Sequence, residues 1–170
     1  SIVDGELTGQ FARNRMEKKL KSLKDHIIIC GYGRMGRLVA QEFAQQATPF
    51  VVIERAGHLL ADFKAEHGVA LSGDATHDET LRRAGIDRAR TLVTLAASDA
   101  DNLFITMSAR LMSDRVFIVA RAEDEGAGQG GALPLPPGEL GRTAAEAFAE
   151  AHPREPLARA GLEIQAAGDA

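Results

Sequence analysis

The residues best placed to do chemistry are Gly31, Gly33, Gly36 and Glu54. The three glycines stand at a G-x-G-x-x-G spacing, directly after the apolar run Ile27–Cys30 and ahead of an amphipathic stretch. At such a strand-to-helix junction each glycine has its own task. Gly31 permits the tight turn, Gly33 lets backbone approach a pyrophosphate, and Gly36 lets the helix lie close on a sheet. Phosphates would sit at the helix N-terminus, where N–H groups and the positive end of the dipole face outward. A second apolar run, Phe50–Ile53, ends at Glu54, 18 residues beyond Gly36. A carboxylate about twenty residues past the glycines is where a ribose diol finds its acceptor. The implied chemistry is capture of an adenine nucleotide or dinucleotide; an ordinary tight turn with a coincidental acid is the alternative.

The elements that would position these residues alternate in type. Apolar runs read as strands over 27–30, 50–54, 69–71, 91–96 and 116–120. Helical periodicity reads over 34–46, with Met35, Leu38, Val39 and Phe43 inward, and over 58–67, carrying Leu59, Leu60 and Phe63. A short helix over 78–84 meets Gly85, suited to a left-handed stop. A further helix over 99–112 sets Leu103, Phe104, Met107 and Leu111 on one face, some of them expected to cover the sheet. Strands alternating with helices imply an α/β, doubly wound parallel sheet of the Rossmann-like type, covered on both faces. Such strands are buried on both sides and need not alternate in polarity.

Composition bounds the class. The chain has 170 residues, 45% of them hydrophobic, and a net charge of −4, enough for one domain with a sizeable core. That charge gives no pull toward nucleic acid, and no run approaches the ~20 apolar residues of a membrane span. The single Cys30 excludes an intrachain disulfide and is expected to be buried strand packing. A chain opening on Ser1 is expected to be cut from a longer parent. Between Arg13 and Lys24 six basic residues face one acid, with Met16, Leu20 and Leu23 at helical spacing. This basic amphipathic helix reads either as a solvated face or as a connector near anionic lipid headgroups. Residues 125–138 are rich in Gly and Pro, opposing both helix and central strand. A helix is expected over 139–151 and a strand over 161–165.

The motifs together resemble a known family. Asp25-His26-Ile27-Ile28-Ile29-Cys30 with its glycine loop is followed by Gly73-Asp74-Ala75-Thr76, Ala84-Gly85-Ile86 and the strand 91–96. Then come Ser98-Asp99-x-Asp101-Asn102-Leu103 and Val119-Ala120-Arg121-Ala122-Glu123-Asp124. Over about residues 10–125 this is similar to the regulator-of-potassium-conductance (RCK) domain, the Trk-system nucleotide-binding domain of prokaryotic ligand-gated potassium channels. The resemblance implies a juxtamembrane connector over 1–25, a nucleotide-binding lobe over 26–125 and an irregular remainder over 126–170. It implies NAD or an adenine nucleotide (ADP, ATP or AMP) as ligand, held by Gly31, Tyr32, Gly33, Arg34, Met35 and Gly36. Arg34 would reach a terminal phosphate or a neighbouring subunit's ligand. Glu54 would accept from the ribose hydroxyls and disfavour a 2′-phosphate, and the Arg55 cation beside it could partly compensate for that. Gly73, Asp74, Ala75 and Thr76 would border the adenine, Ala96 and Ala97 would floor the ribose, and Arg121 would complete the site. Asp74 as a turn cap and Arg121 as a surface ion-pair partner remain alternatives.

What else the resemblance implies is a non-enzymatic regulator at the cytoplasmic face of the inner membrane, itself a soluble fragment of a longer membrane protein. Its partners would be a second copy, in dimers within a gating ring, and the pore domain of the parent channel. Calcium-gated relatives carry three acids where this chain has Leu95, Arg121 and Glu123, so calcium is not expected. The alternatives are a soluble subunit regulating a separate potassium transporter and an NAD-dependent oxidoreductase. The latter lacks a Tyr-x-x-x-Lys pair, since Tyr32 is the only tyrosine. His58 and His67 are expected on a surface helix, and His77 as a helix cap.

Overall fold

The computed structural model describes residues 2–121, with side chains from Gly5 onward. The segment 125–138, the helix expected over 139–151 and the strand over 161–165 lie outside the described residues. Helix α1 (Ile2–Ser22) is followed by β1 (Ile27–Cys30), α2 (Arg34–Gln45), β2 (Phe50–Glu54) and β3 (Gly68–Ser72). Then come α3 (Asp78–Arg83), β4 (Thr91–Thr94), α4 (Asp99–Met112) and β5 (Phe117–Ala120). All five strands are parallel, in the order β3-β2-β1-β4-β5. The chain thus winds outward from β1 to β3, then crosses to β4 on the other side. β1 lies at the switch point, where open α/β sheets place their ligand crevice beyond the carboxyl ends.

The three inner strands β1, β2 and β4 are buried on both faces, the edge strands β3 and β5 less completely, and alternate residues serve two separate cores. Ile28, Cys30, Val51 and Ile53 pack with Leu20 of α1, Leu81 of α3 and Ile105 of α4. Ile27, Ile29, Phe50 and Val52 pack with Val39, Ala40 and Phe43 of α2. Cys30 is fully buried and its thiol is held protonated by desolvation, as expected for packing. Gly85 has a φ of +77° and ends α3 with the paired bonds Gly85 N–H to Arg82 O and Ile86 N–H to Leu81 O.

Three expectations are corrected. Met35 and Leu38 are exposed; the buried stripe of α2 is Gly36, Val39, Ala40 and Phe43. Gly36 fixes that rotation, because it must face the sheet. No helix runs over 58–67: a 3-10 turn at Gly57–Leu60 is followed by irregular chain. Phe63 sits edge-on to Tyr32 and Phe50, at 5.5 and 6.2 Å between ring centres, and this packing overrides the local periodicity. On α4, Leu103, Phe104, Met107 and Leu111 are all exposed, so none of them covers the sheet, which Asn102, Ile105, Ser108 and Ala109 do instead.

Among the described residues, α1 packs on the rest of the domain through its C-terminal end. Leu20 is fully buried, worth about 2 kcal/mol of apolar transfer, with Met16 and Leu23 packed beside it. Glu17 pairs with Arg83 at 2.5 Å. The Arg88 guanidinium donates to Leu23 O and Leu20 O, at 3.1 and 3.4 Å, placing a cation on the carbonyl end of the helix. Earlier in the helix, Leu7 and Phe11 are exposed. Among the described residues no helix is long and apolar enough to cross a membrane.

Candidate functional site

Because every strand runs the same way, the residues singled out in the sequence emerge at one edge. Gly31–Gly36 follow β1, Glu54–Arg55 end β2, Gly73–Thr76 follow β3, Ala96–Ala97 lie past β4 and Arg121 follows β5. The glycine loop turns at Gly31, whose φ is +104° and whose N–H donates to Ile53 O at 2.8 Å. A Cβ on Gly31 would stand 2.6 Å from Leu95 O, and one on Gly36 would collide with Gly31 O at 2.0 Å. At Gly33 a Cβ would meet nothing within 4 Å. Two glycines are therefore required by the protein itself, and the third leaves open space over the crevice.

Gly33 caps α2 without a side-chain bond, and the first intrahelical bond is Arg37 N–H to Gly33 O at 3.0 Å. The N–H groups of Arg34, Met35 and Gly36 precede it and are the ones a helix start offers to an anion. The Arg34 and Met35 side chains are exposed beside them. Tyr32 behaves differently from a ligand-facing loop residue. Its ring is buried against Phe63, and the Arg37 guanidinium lies 4.6 Å from the ring centre.

Glu54 ties the loop to β2. One carboxylate oxygen accepts from Tyr32 N–H and the other from Ala56 N–H, both at 2.7 Å. Each oxygen keeps a further lone pair, so the carboxylate is aimed and still able to accept. Arg55 beside it is largely exposed and reaches Asp74 at 3.7 Å and Asp101 at 3.8 Å. Asp74 closes a local turn by accepting from the Thr76 hydroxyl at 2.7 Å and the Thr76 N–H at 2.9 Å. The Thr76 hydroxyl bond, more than the Arg55 charge, holds the Asp74 carboxyl below its ordinary range. Ala75 is buried and belongs to the core on that face of the sheet. Gly73 is half-buried, with Thr80 just 3.1 Å from where a Cβ would stand.

Asn102 was part of the motif but not of the expected site, and it holds the loop that follows β4. Its Oδ1 accepts from the Thr94 hydroxyl at 2.6 Å and Ala96 N–H at 2.8 Å, while its Nδ2 donates to Ala96 O at 3.1 Å. The carboxamide thus fixes the loop bearing Ala96 and Ala97. The signal for it was a polar residue one turn past Ser98, whose hydroxyl caps α4 by accepting from Asp101 N–H at 3.1 Å. Arg121 is set in the same edge by its N–H bond to Thr94 O at 3.0 Å, two strands from the glycine loop. His77 occupies the N-cap of α3 without a capping bond from its ring, contrary to expectation; Asp78 and Glu79 supply the favourable charge there. His58 lies in the 3-10 turn and His67 just ahead of β3, so neither is on a helix.

Known proteins share this arrangement. Residues 27–129 match the family model of the TrkA-N domain. Potassium channel protein 1 of Methanocaldococcus jannaschii is 39% identical over 124 residues, 72% of this chain and 37% of that protein. The chain therefore spans little more than a third of that relative's length. Among solved structures, the TrkA-N domain of the inner membrane protein ybaL of Escherichia coli is 25% identical, with a TM-score of 0.54. It matches 57% of this chain and 72% of that one. The Kef CTD of Shewanella denitrificans in its AMP-bound form is 27% identical with a TM-score of 0.50, covering 58% and 59%. With its glycine loop at the carboxyl edge of a parallel sheet and a family match extending over most of its length, this chain belongs to the TrkA-N domain family.

Proposed function

We propose that the chain is a non-enzymatic regulatory domain that binds an adenine nucleotide or NAD(H) and thereby gates a potassium channel pore. The observation that carries the binding is the pairing of an open Gly33 with a Glu54 carboxylate aimed by two backbone N–H groups. In this reading the diphosphate lies over Gly33 at the start of α2, with Arg34 beside it. The ribose hydroxyls donate to Glu54, the adenine lies by Gly73–Thr76, and Ala96–Ala97 form the floor. Support comes from the relatives: one is named a potassium channel protein and one structural neighbour is in an AMP-bound form. Differential affinity of the ligand for two arrangements of an assembled domain would bias the pore, by no more than that difference. The exposed apolar face of α4 is the surface this reading uses for association with a second copy.

Calorimetric titration with NAD, ADP, AMP and NADP tests the site. NAD should bind more tightly than NADP, because a carboxylate accepts from a free diol and repels a 2′-phosphate. Glu54→Ala should shrink that difference. Equal affinities in the wild-type chain would overturn the assignment of Glu54, and reproducible hydride transfer with alcohols or hydroxy acids would favour an enzyme.

A further inference from the structure

The end of β2 presents two opposite preferences side by side. Glu54 suits a free ribose diol, whereas Arg55 is the kind of residue that receives a 2′-phosphate, through a planar fork of donors. The sequence leaves that conflict open; the ion pairs resolve it. Arg55 extends Nη1 to Asp74, which follows β3, and Nη2 to Asp101, which lies on α4 beyond β4. These two acids sit on opposite sides of β1 in the strand order, so the guanidinium spans the carboxyl edge of the sheet where the crevice opens.

We propose that Asp101 is a specificity determinant of this crevice: together with Asp74 it engages and neutralises Arg55, and so excludes ligands carrying a phosphate on the ribose 2′ position. The proposal rests on the adenine-nucleotide reading above and adds a residue to it. Asp74 and Asp101 set two carboxylates against the one Arg55 guanidinium, and Glu54 precedes it in the chain, so a 2′-phosphate arriving there would compete with two acids already paired to that cation. Exposed pairs near 4 Å contribute little to folding stability. Their consequence is therefore sought in what the crevice accepts rather than in how the domain holds together. Asp74 is already committed to its turn with Thr76. Asp101 is the acid whose removal frees Arg55 without unmaking that turn, since its own N–H, not its carboxylate, meets the Ser98 cap.

The test compares AMP with adenosine 2′,5′-bisphosphate, two probes differing only in the 2′-phosphate, by calorimetry on the full chain. Wild type should favour AMP, and Asp101→Asn should lower that preference about fivefold at low ionic strength, the order expected of one partly screened unit charge. About 0.5 M salt should erase most of the change. Arg55→Ala, and the double variant with Asp101→Asn, should both retain a strong preference for AMP, because the freed cation is what admits the phosphate. A preference unchanged by Asp101→Asn, or lowered equally in the double variant, overturns the assignment of Asp101 while leaving AMP binding intact. Failure of the wild-type chain to bind either probe overturns the nucleotide reading itself, and this proposal with it.

Discussion

Replacing Asn102 tests how the floor of the crevice is held. Asn102→Ala removes three hydrogen bonds at once and leaves Thr94 Oγ1, Ala96 N–H and Ala96 O without their partner. Thr94 is fully buried, so water cannot replace that bond; Ala96 is half-buried and regains part of its solvation. At about 1 kcal/mol per bond, with an unsatisfied buried hydroxyl added, the loss should be about 3 kcal/mol. With a urea slope of about 2 kcal/mol per molar, the midpoint should fall by about 1.5 M. Asn102→Asp sharpens the test. An ionised carboxylate still accepts from Thr94 and Ala96 N–H but cannot donate to Ala96 O, whereas a protonated one can. The folded state then binds the proton more tightly than the unfolded state, so the penalty should grow as pH rises and shrink on acidification. A loss below about 1 kcal/mol for Asn102→Ala, or a pH-independent penalty for Asn102→Asp relative to wild type, would refute the reasoning.

Other substitutions separate fold from site. Gly36→Ala must displace the Gly31 carbonyl that its Cβ would strike, and should cost stability and nucleotide binding together, read by urea unfolding and calorimetry. At Gly33 a Cβ meets no atom within 4 Å; Gly33→Val should change stability by less than about 1 kcal/mol yet abolish the ligand-induced rise in melting temperature. If ligand still stabilises that variant, the phosphates lie elsewhere. His26 is buried with Nε2–H donating to Ala84 O at 2.7 Å and Nδ1 facing no partner, and burial lowers its pKa from the ordinary 6.5. The unfolded chain then takes up that proton first, so stability should decline as pH falls below about 6.5. His26→Gln should flatten that slope, and an unchanged slope would assign it to another group.

The alternation of strands and helices was legible because the strands are short apolar runs, the inner ones buried on both faces, and the glycine loop and Glu54 were legible because their spacing is local. Which way α2 and α4 face was not. In both helices a residue of low hydrophobicity sets the rotation: Gly36 by close contact with Gly31, Asn102 by its bonds to the β4 loop. Ranking side chains by apolarity therefore placed Met35 and Leu38 inward, where the structure exposes them. The segment after β2 misled for a related reason, since Phe63 finds its partners in Tyr32 and Phe50 rather than along a helix. The link from Arg55 to Asp101 joins the end of β2 to a helix beyond β4 and exists only once the strand order is known. The turn at Asp74, by contrast, was an open alternative in the sequence, and the structure shows it formed.

The docking of α1 through its C-terminal end, among the described residues, has a mechanical consequence. From Leu20 to Leu7 the helix rises about 20 Å at 1.5 Å per residue, a straight arm with its fulcrum at the buried leucine. A tilt of about 10° at that fulcrum would carry Leu7 through about 3 Å, roughly two residues of helical rise. The fulcrum is held by Glu17–Arg83 and by Arg88, and these grip the arm from α3 and the turn that follows it. α3 in turn begins two residues after Thr76, where the Asp74 turn closes. Any rotation about that fulcrum, whatever drives it, is therefore read at the far end of α1 as length rather than as force.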